Sequence, residues 1–447
     1  MRANEEAIRS GLRSLPSAAL LICGLLLATW PATTASAAEP AGEWVDIDAR
    51  ALQRAASGGV PFRLALRDRV LELDVKVRPL RSAKFFLTAS PPGALDVFPL
   101  RPSATYSGAV RGVRASDVRL SEVADEFLRG QIRMDDEWWL ITPAPERGAG
   151  QHHVVAASEL TDDTPLLCGA EVLLDLAPAS VAGTATVHEA GAPEPELAAV
   201  ETFKVLEVAV DADHEYFLRY GSGTVAEIEA TMNAADAVLR EQLGVTIEIA
   251  HINIWADAGD PYEAFAAAEI MAELRGYWLA NFAHVERDSV HLFSGREFTG
   301  SASGLAYSAV ACRLDFAFSL TEDFEGLSFM HVVVAHELGH ILGASHDTST
   351  PPPLYIMHPQ VSGATLSEFS TSSRDQIAGY LGTVSCLALV DSDGVSIDTQ
   401  PAAPPPKKGG GGAVDALTIG GILALSVLVG AARVCRRRRT SGYSEPA

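Results

Sequence analysis

The spacing of apolar and polar residues changes several times along the chain, and each change marks a different kind of element. Between Val60 and Thr142 apolar residues alternate with polar ones, as in Arg69-Val70-Leu71-Glu72-Leu73-Asp74-Val75-Lys76-Val77. A period of two puts alternate side chains on opposite faces of a strand, so this first region reads as mainly β. Trp138-Trp139-Leu140-Ile141 adds a continuous apolar run of strand length. From Ala177 to Ala199 the pattern dissolves into Ala, Pro, Gly and Glu, a low-complexity stretch that separates the first region from a second.

The second region, Glu201 to about Val390, alternates strands with helices. Phe203 to Val210 and Val245 to Trp255 read as strands, and Val225 to Leu243 reads as an amphipathic helix with Thr224 and Glu227 spaced as a capping box at its start. Tyr262 to Phe282 reads as another helix, and Val290 to Phe293 and Leu305 to Val310 as further strands. Such an order indicates an α/β sandwich with a mixed sheet.

The two ends differ from both regions. Arg2, Arg9 and Arg13 precede an apolar run from Ala18 to Trp30, and Ala35-Ser36-Ala37 offers a small-residue cleavage site, so residues 1–37 read as a secretion signal. Residues 391–412 form a linker whose Pro401 to Gly412 part, rich in Pro, Lys and Gly, has no capacity for a core. Residues 413–432 are almost wholly apolar apart from Asp415 and long enough to span a bilayer as one transmembrane helix. Arg433 and Arg436 to Arg439 then place the tail, 433–447, in the cytoplasm and everything before Ala413 outside. The Gly409 to Gly412 run, apolar span and Arg cluster also resemble glycine-glycine bacterial sorting tails, so the expected location is the cell surface, or secretion after tail processing. With 447 residues and 48% hydrophobic content the chain can hold two or three domains with real cores, and a formal charge of −23 argues against nucleic acid as a partner.

One stretch carries the chemistry: His336-Glu337-Leu338-Gly339-His340-Ile341-Leu342-Gly343-Ala344-Ser345-His346-Asp347. Helical residues four apart share a face, so His336 and His340 can hold one metal ion. Gly343 can adopt the conformation that ends a helix sharply and returns His346 to the same ion. Three neutral imidazoles leaving one open position describe a catalytic zinc site. Glu337 lies too far round to be a ligand, but it can reach a water there and act as general base. The apolar run Phe329 to Ala335 supplies the buried helix this motif needs, and His331 falls outside the ligand spacing.

The second region resembles the adamalysin (reprolysin, ADAM-type) branch of the metzincin metalloproteases. The resemblance rests on the zinc motif with Asp347 after its third His, on Glu207-Val208-Ala209-Val210-Asp211-Ala212-Asp213-His214, and on Ile254-Trp255-Ala256-Asp257. It implies an α/β metzincin catalytic domain over 195–390, with a mixed twisted sheet and a zinc cleft. It also implies zinc-dependent hydrolysis of protein or peptide substrates by Glu337. Gly304, Leu305 and Ala306 would form the edge strand to which a peptide adds, and Met357 the methionine turn beneath the zinc. Cys312 and Cys386 would form a disulfide, consistent with an exported domain.

Cys168 is then left over, in Pro165-Leu166-Leu167-Cys168-Gly169, which resembles the cysteine-switch segment of ADAM propeptides. Residues 38–194 therefore read as a mainly β inhibitory prodomain whose Cys168 thiolate fills the fourth zinc position in a latent form, against the alternative of an inert buried thiol. The chain departs from the family in two respects. Glu171 to Phe203 contains no Lys or Arg, so removal of the prodomain needs self-cleavage or a protease that does not read dibasic sites. Glu207 and Asp288 match two positions of a structural Ca2+ site, but Leu389 stands where a side-chain oxygen is usual. The competing reading is a catalytically silent surface binding or adhesion protein on the same fold.

Overall fold

The computed structural model describes residues 41–91, 94, 100–160, 166–169, 202–324, 329–347, 355–362, 367–392 and 394–397. The expected signal segment, the Ala177 to Ala199 stretch, the linker from residue 398 onward, the apolar span and the basic tail lie outside the described residues. No helix among the described residues is long and apolar enough to cross a membrane.

The strands of the N-terminal half are β1 (Glu43–Asp46), β2 (Phe62–Leu66), β3 (Arg69–Val77), β4 (Arg81–Ser90), β5 (Thr105–Val110), β6 (Asp117–Ala124), β7 (Phe127–Met134), β8 (Glu137–Pro143), β9 (Gln151–Ala156) and β10 (Leu166–Cys168). Eight of them form an antiparallel sheet in the order β1-β9-β8-β7-β6-β5-β3-β2. Alternation builds it as expected: Phe62, Leu64 and Leu66 of β2 are buried while Arg63 and Ala65 are exposed. Helix α1 (Ala49–Gly58), capped by the Asp48 carboxylate, covers the apolar face with Ala49, Leu52 and Ala55.

The second half contributes β11 (Thr202–Ala212), β12 (Val245–Trp255), β13 (Ser289–Ser294), β14 (Ala302–Ala306), β15 (Phe318–Glu322), β16 (Gln360–Val361) and β17 (Leu389–Asp391). Its helices are α2 (His214–Tyr220), α3 (Thr224–Leu243), α4 (Ala267–Asn281), α5 (Met330–Ile341) and α6 (Thr371–Leu381). The sheet is mixed and nine-stranded, in the order β16-β10-β14-β15-β13-β11-β12-β4 with β17 added beside β11. Two of these strands come from the N-terminal half. β4 pairs parallel to β12, and β10 lies between β14 and β16.

Three sequence expectations are corrected. Thr224 and Glu227 do not form a capping box: the Thr224 hydroxyl donates to the Gly221 carbonyl, and Glu227 pairs with Arg129 of β7. The helix expected from Tyr262 begins instead at Ala267, because Tyr262 turns inward to donate to Asp211 and the Glu273 carboxylate accepts from the amides of Glu263 and Ala264. The strand expected over Leu305 to Val310 is β14, which ends at Ala306. Beyond it, the amide of Ala309 donates to His340 O and those of Val310 and Ala311 to Ile341 O. These amides bond to carbonyls at the end of α5, where the His340 carbonyl also accepts from the Gly343 amide, and they draw the chain out of the sheet.

Helix α3 is also not amphipathic in the expected sense. It touches β5, β6 and β7 as well as β12 and α5, and both polar and apolar residues along it are buried. A helix buried all round needs partners for its polar groups. Here they come from the polar face of the N-terminal sheet.

Candidate active site

Helix α5 is buried along its whole length, so its histidines must lie inside the protein and find partners there. His336 Nδ1 lies 2.5 Å from the Ile356 carbonyl and His340 Nδ1 lies 2.8 Å from the Ala344 carbonyl. A carbonyl only accepts, so each Nδ1 carries the proton and each Nε2 presents a lone pair. The chain then turns at Gly343, whose φ of 100° is a left-handed conformation and where a Cβ would meet the ring of Tyr380. That turn brings His346 back.

The result is a triangle of imidazole nitrogens. His336 Nε2 and His340 Nε2 are 3.2 Å apart, and His346 Nε2 is 3.3 Å from the first and 3.2 Å from the second. The Cys168 sulfur lies 3.5 Å from His340 Nε2, and the four ligating atoms all lie within 4.8 Å of one another. Zinc with nitrogens at about 2.0–2.1 Å and sulfur at about 2.3 Å in a tetrahedron requires N···N separations of about 3.3 Å and N···S of about 3.5 Å. The residues fit the ion. Burial keeps His336 far below the ordinary histidine range and lowers His340 to about 3, so both are the neutral ligands zinc needs.

Glu337 reaches the same sulfur from the same turn of α5. Its Oε2 is 3.6 Å from the Cys168 sulfur, and its Oε1 makes no hydrogen bond to the described protein. Burial pushes its carboxyl up to about 8, which a dication between the imidazoles opposes. Oε1 lies against Gly304, where any Cβ would collide with it. Gly304 thus lets β14 pass directly beside the carboxylate.

β10 occupies the cleft between β14 and β16. It runs parallel to β14, pairing Leu167 with Ala302 and Cys168 with Gly304, and antiparallel to β16, pairing Leu166 with Val361. The Cys168 amide donates to Pro359 O at 3.0 Å and the Gly169 amide to Gly304 O at 2.9 Å. Gly304, Leu305 and Ala306 therefore lie in a strand whose outer side is taken by this chain's own residues. Leu166 is buried in a recess that Val333 and Val361 line together with His336 and Glu337, a role that its sequence context does not signal.

Met357 is fully buried at the turn after the zinc motif, and its carbonyl accepts from the Asp347 amide at 2.7 Å. The Asp347 carboxylate accepts from the hydroxyls of Ser370 and Ser373 at the start of α6, fixing the segment that carries His346. In the sequence Asp347 stands out only as a family mark, and Ser370 and Ser373 carry no signal of their own. Cys312 and Cys386 form the expected disulfide. Asp288 accepts from the Glu207 amide at 2.8 Å, and Glu207 joins none of the clusters of three ligating side chains found among the described residues. The proposed calcium pair is thus adjacent, but it is engaged through backbone.

Residues 225–347 match the model of the reprolysin-like metallo-peptidase family M12B. A zinc metalloproteinase-disintegrin-like protein of Cerberus rynchops is 24% identical over 294 residues, which is 63% of this chain and 46% of that relative. The chain thus spans about half the length of the relative it matches.

Proposed function

We propose, from the premise that this chain carries an adamalysin/reprolysin-type metalloprotease domain, that it is an exported zinc-dependent endopeptidase made as a latent zymogen. The observation that carries this reading is the triangle of His336, His340 and His346 nitrogens with the Glu337 carboxylate beside it and the Cys168 sulfur at its fourth corner. Export is supported by the leader-like residues 1–37 and by the Cys312–Cys386 disulfide, which suits an oxidising compartment. Residues 413–432 supply an apolar span that would hold the protein at the membrane.

Zinc, when bound, supplies a Lewis acid that polarises the scissile carbonyl and makes water more acidic. The chain's residues do the rest. An extended substrate pairs with β14 in the place β10 now fills, which sets its carbonyl beside the histidines. Glu337 takes a proton from water on that side and returns it to the departing amine. The Ile356 and Ala344 carbonyls keep the His336 and His340 rings turned with Nε2 inward. In the latent form the Cys168 sulfur stands where water must enter, and β10 covers the strand a substrate would use.

The test is hydrolysis of a mixed peptide pool by the protein after residues 166–169 are released from the cleft. Activity is expected to vanish with a chelator and return with zinc. Glu337→Ala is expected to keep its zinc and lose on the order of 10³-fold in kcat. Undiminished activity in Glu337→Ala would overturn the assignment of the base.

A further inference from the structure

The N-terminal domain, residues 43–160, meets the peptidase domain at a second place, at the opposite edge of the nine-stranded sheet from the cleft. There β4 closes the edge of β12, pairing Phe86 with His251, Leu87 with Ile252, Thr88 with Asn253, Ala89 with Ile254 and Ser90 with Trp255. The His251 ring lies with Nδ1 3.0 Å from Phe86 O and Nε2 3.0 Å from the Thr88 hydroxyl. Leu80 and Trp138 of the N-terminal domain belong to the core cluster of the peptidase domain.

Beside this edge, arginines of the N-terminal domain meet a row of carboxylates on α3. Arg129 pairs with Glu227 at 2.7 Å, Arg81 with Glu229 at 2.5 Å, and Arg133 with Glu241 at 2.5 Å. Arg78 and Arg119 both hold Asp236, at 2.8 and 2.6 Å, and Asp236 is fully buried. Between the ion pairs, Gln131 donates to Ala234 O and Asn233 donates to Leu120 O and the Ser121 hydroxyl. Removing this domain would bare the edge of β12 from Ile249 to Trp255 and its apolar neighbours, a template for wrong pairing.

We propose that the N-terminal domain is a lasting, noncovalent subunit of the peptidase, staying docked on α3 and β12 after the junction 170–201 is cut, whether or not residues 166–169 remain in the cleft. The surface on α3 is an acidic docking face, and its partner is this chain's own arginine-bearing sheet. The hold at β4 shares no residue with the cleft, so activation at one edge of the sheet leaves the other edge closed. The proposal rests on the zymogen reading only in supposing that the junction is cut.

The test inserts a site for a sequence-specific protease within 177–199 of the full chain, purified in mild detergent. After cutting, the two fragments are followed by size-exclusion chromatography and native mass spectrometry. They are expected to co-elute as a 1:1 complex, equally in Cys168→Ala and after zinc is chelated. Separation of the wild-type fragments during the run overturns the proposal, as does separation in Cys168→Ala alone, which would put the hold in the cleft. A second arm uses the more exposed pair: Arg133→Glu is expected to speed fragment release about threefold to tenfold, and adding Glu241→Arg to restore it. An unchanged release rate in Arg133→Glu would contradict docking through the arginine row. These readouts are masses and release rates, so a missing peptidase activity would count against the proposed function and leave this proposal standing.

Discussion

The strand that enters the zinc cleft and the strand that closes the far edge of the same sheet both come from the N-terminal half, yet they are built for different tasks. β10 is three residues long, only Leu166 of it is buried, and its chemistry is concentrated in one sulfur. β4 is ten residues long and lies beside buried ion pairs, amide contacts and two core side chains spread over α3 and β12. A short contact that depends on one soft ligand can be undone by one chemical event. A broad contact of many weak terms cannot. On the proposed zymogen reading, the difference separates the means of holding the enzyme silent from the means of holding its two domains together.

The comparison breaks most visibly at Asp236. Asp236→Asn leaves Arg119, itself 4% exposed, with a weakened partner, and is expected to destabilise the uncut chain by about 3 kcal/mol. Urea unfolding measures that loss, and zinc content should stay unchanged because the cleft shares none of these groups. Loss of zinc together with stability would show that the two contacts are one cooperative unit.

Next in size is Cys168→Ala. Removing the sulfur leaves β10 tethered but without its strongest contact, so basal hydrolysis by the uncut protein is expected to rise on the order of 10²-fold. Equal latency in the mutant would mean that the strand pairing of β10, not the thiol, closes the cleft. Urea stability should change little, in contrast with Asp236→Asn.

The smallest effect is in the pH profile of the wide contact. Burial alone would raise the Asp236 carboxyl, but Arg78 and then Arg119 draw it below the ordinary value of 3.8. Its contribution to stability is therefore whole above that value and is lost as pH falls below it. Glu227 and Glu229 act in the opposite sense: burial raises them despite Arg129 and Arg81, so their contribution is whole below 4.5 and weakens as pH rises through their folded values. Asp236→Asn should flatten the acid limb of the stability profile and leave the limb at higher pH in place. A persisting acid limb would assign it to other carboxylates.

The zinc site was legible because its information is local. His336, Glu337 and His340 share one helical turn, Gly343 is the only residue type that turns freely there, and His346 follows within one loop. Strands such as Arg69–Val77 and Val245–Trp255 were legible because their alternation or apolar length is continuous. Cys168 could be paired with the site only through its leftover thiol and the resemblance of its neighbours. The wide contact was not legible. Arg119, Arg129 and Arg133 lie at the polar positions of alternating strands, where a solvent face is the ordinary reading, and Glu227 looked like part of a helix cap. Their partners lie about a hundred residues away in sequence, and nothing in local spacing reports such a pairing.

The central claim is that His336, His340, His346 and Cys168 hold one zinc in the uncut protein. Zinc-edge X-ray absorption on the full chain tests it most directly. Three nitrogen neighbours at about 2.0–2.1 Å and one sulfur at about 2.3 Å are expected, with the sulfur lost in Cys168→Ala. A zinc shell of nitrogen and oxygen alone in the uncut wild-type protein would contradict it.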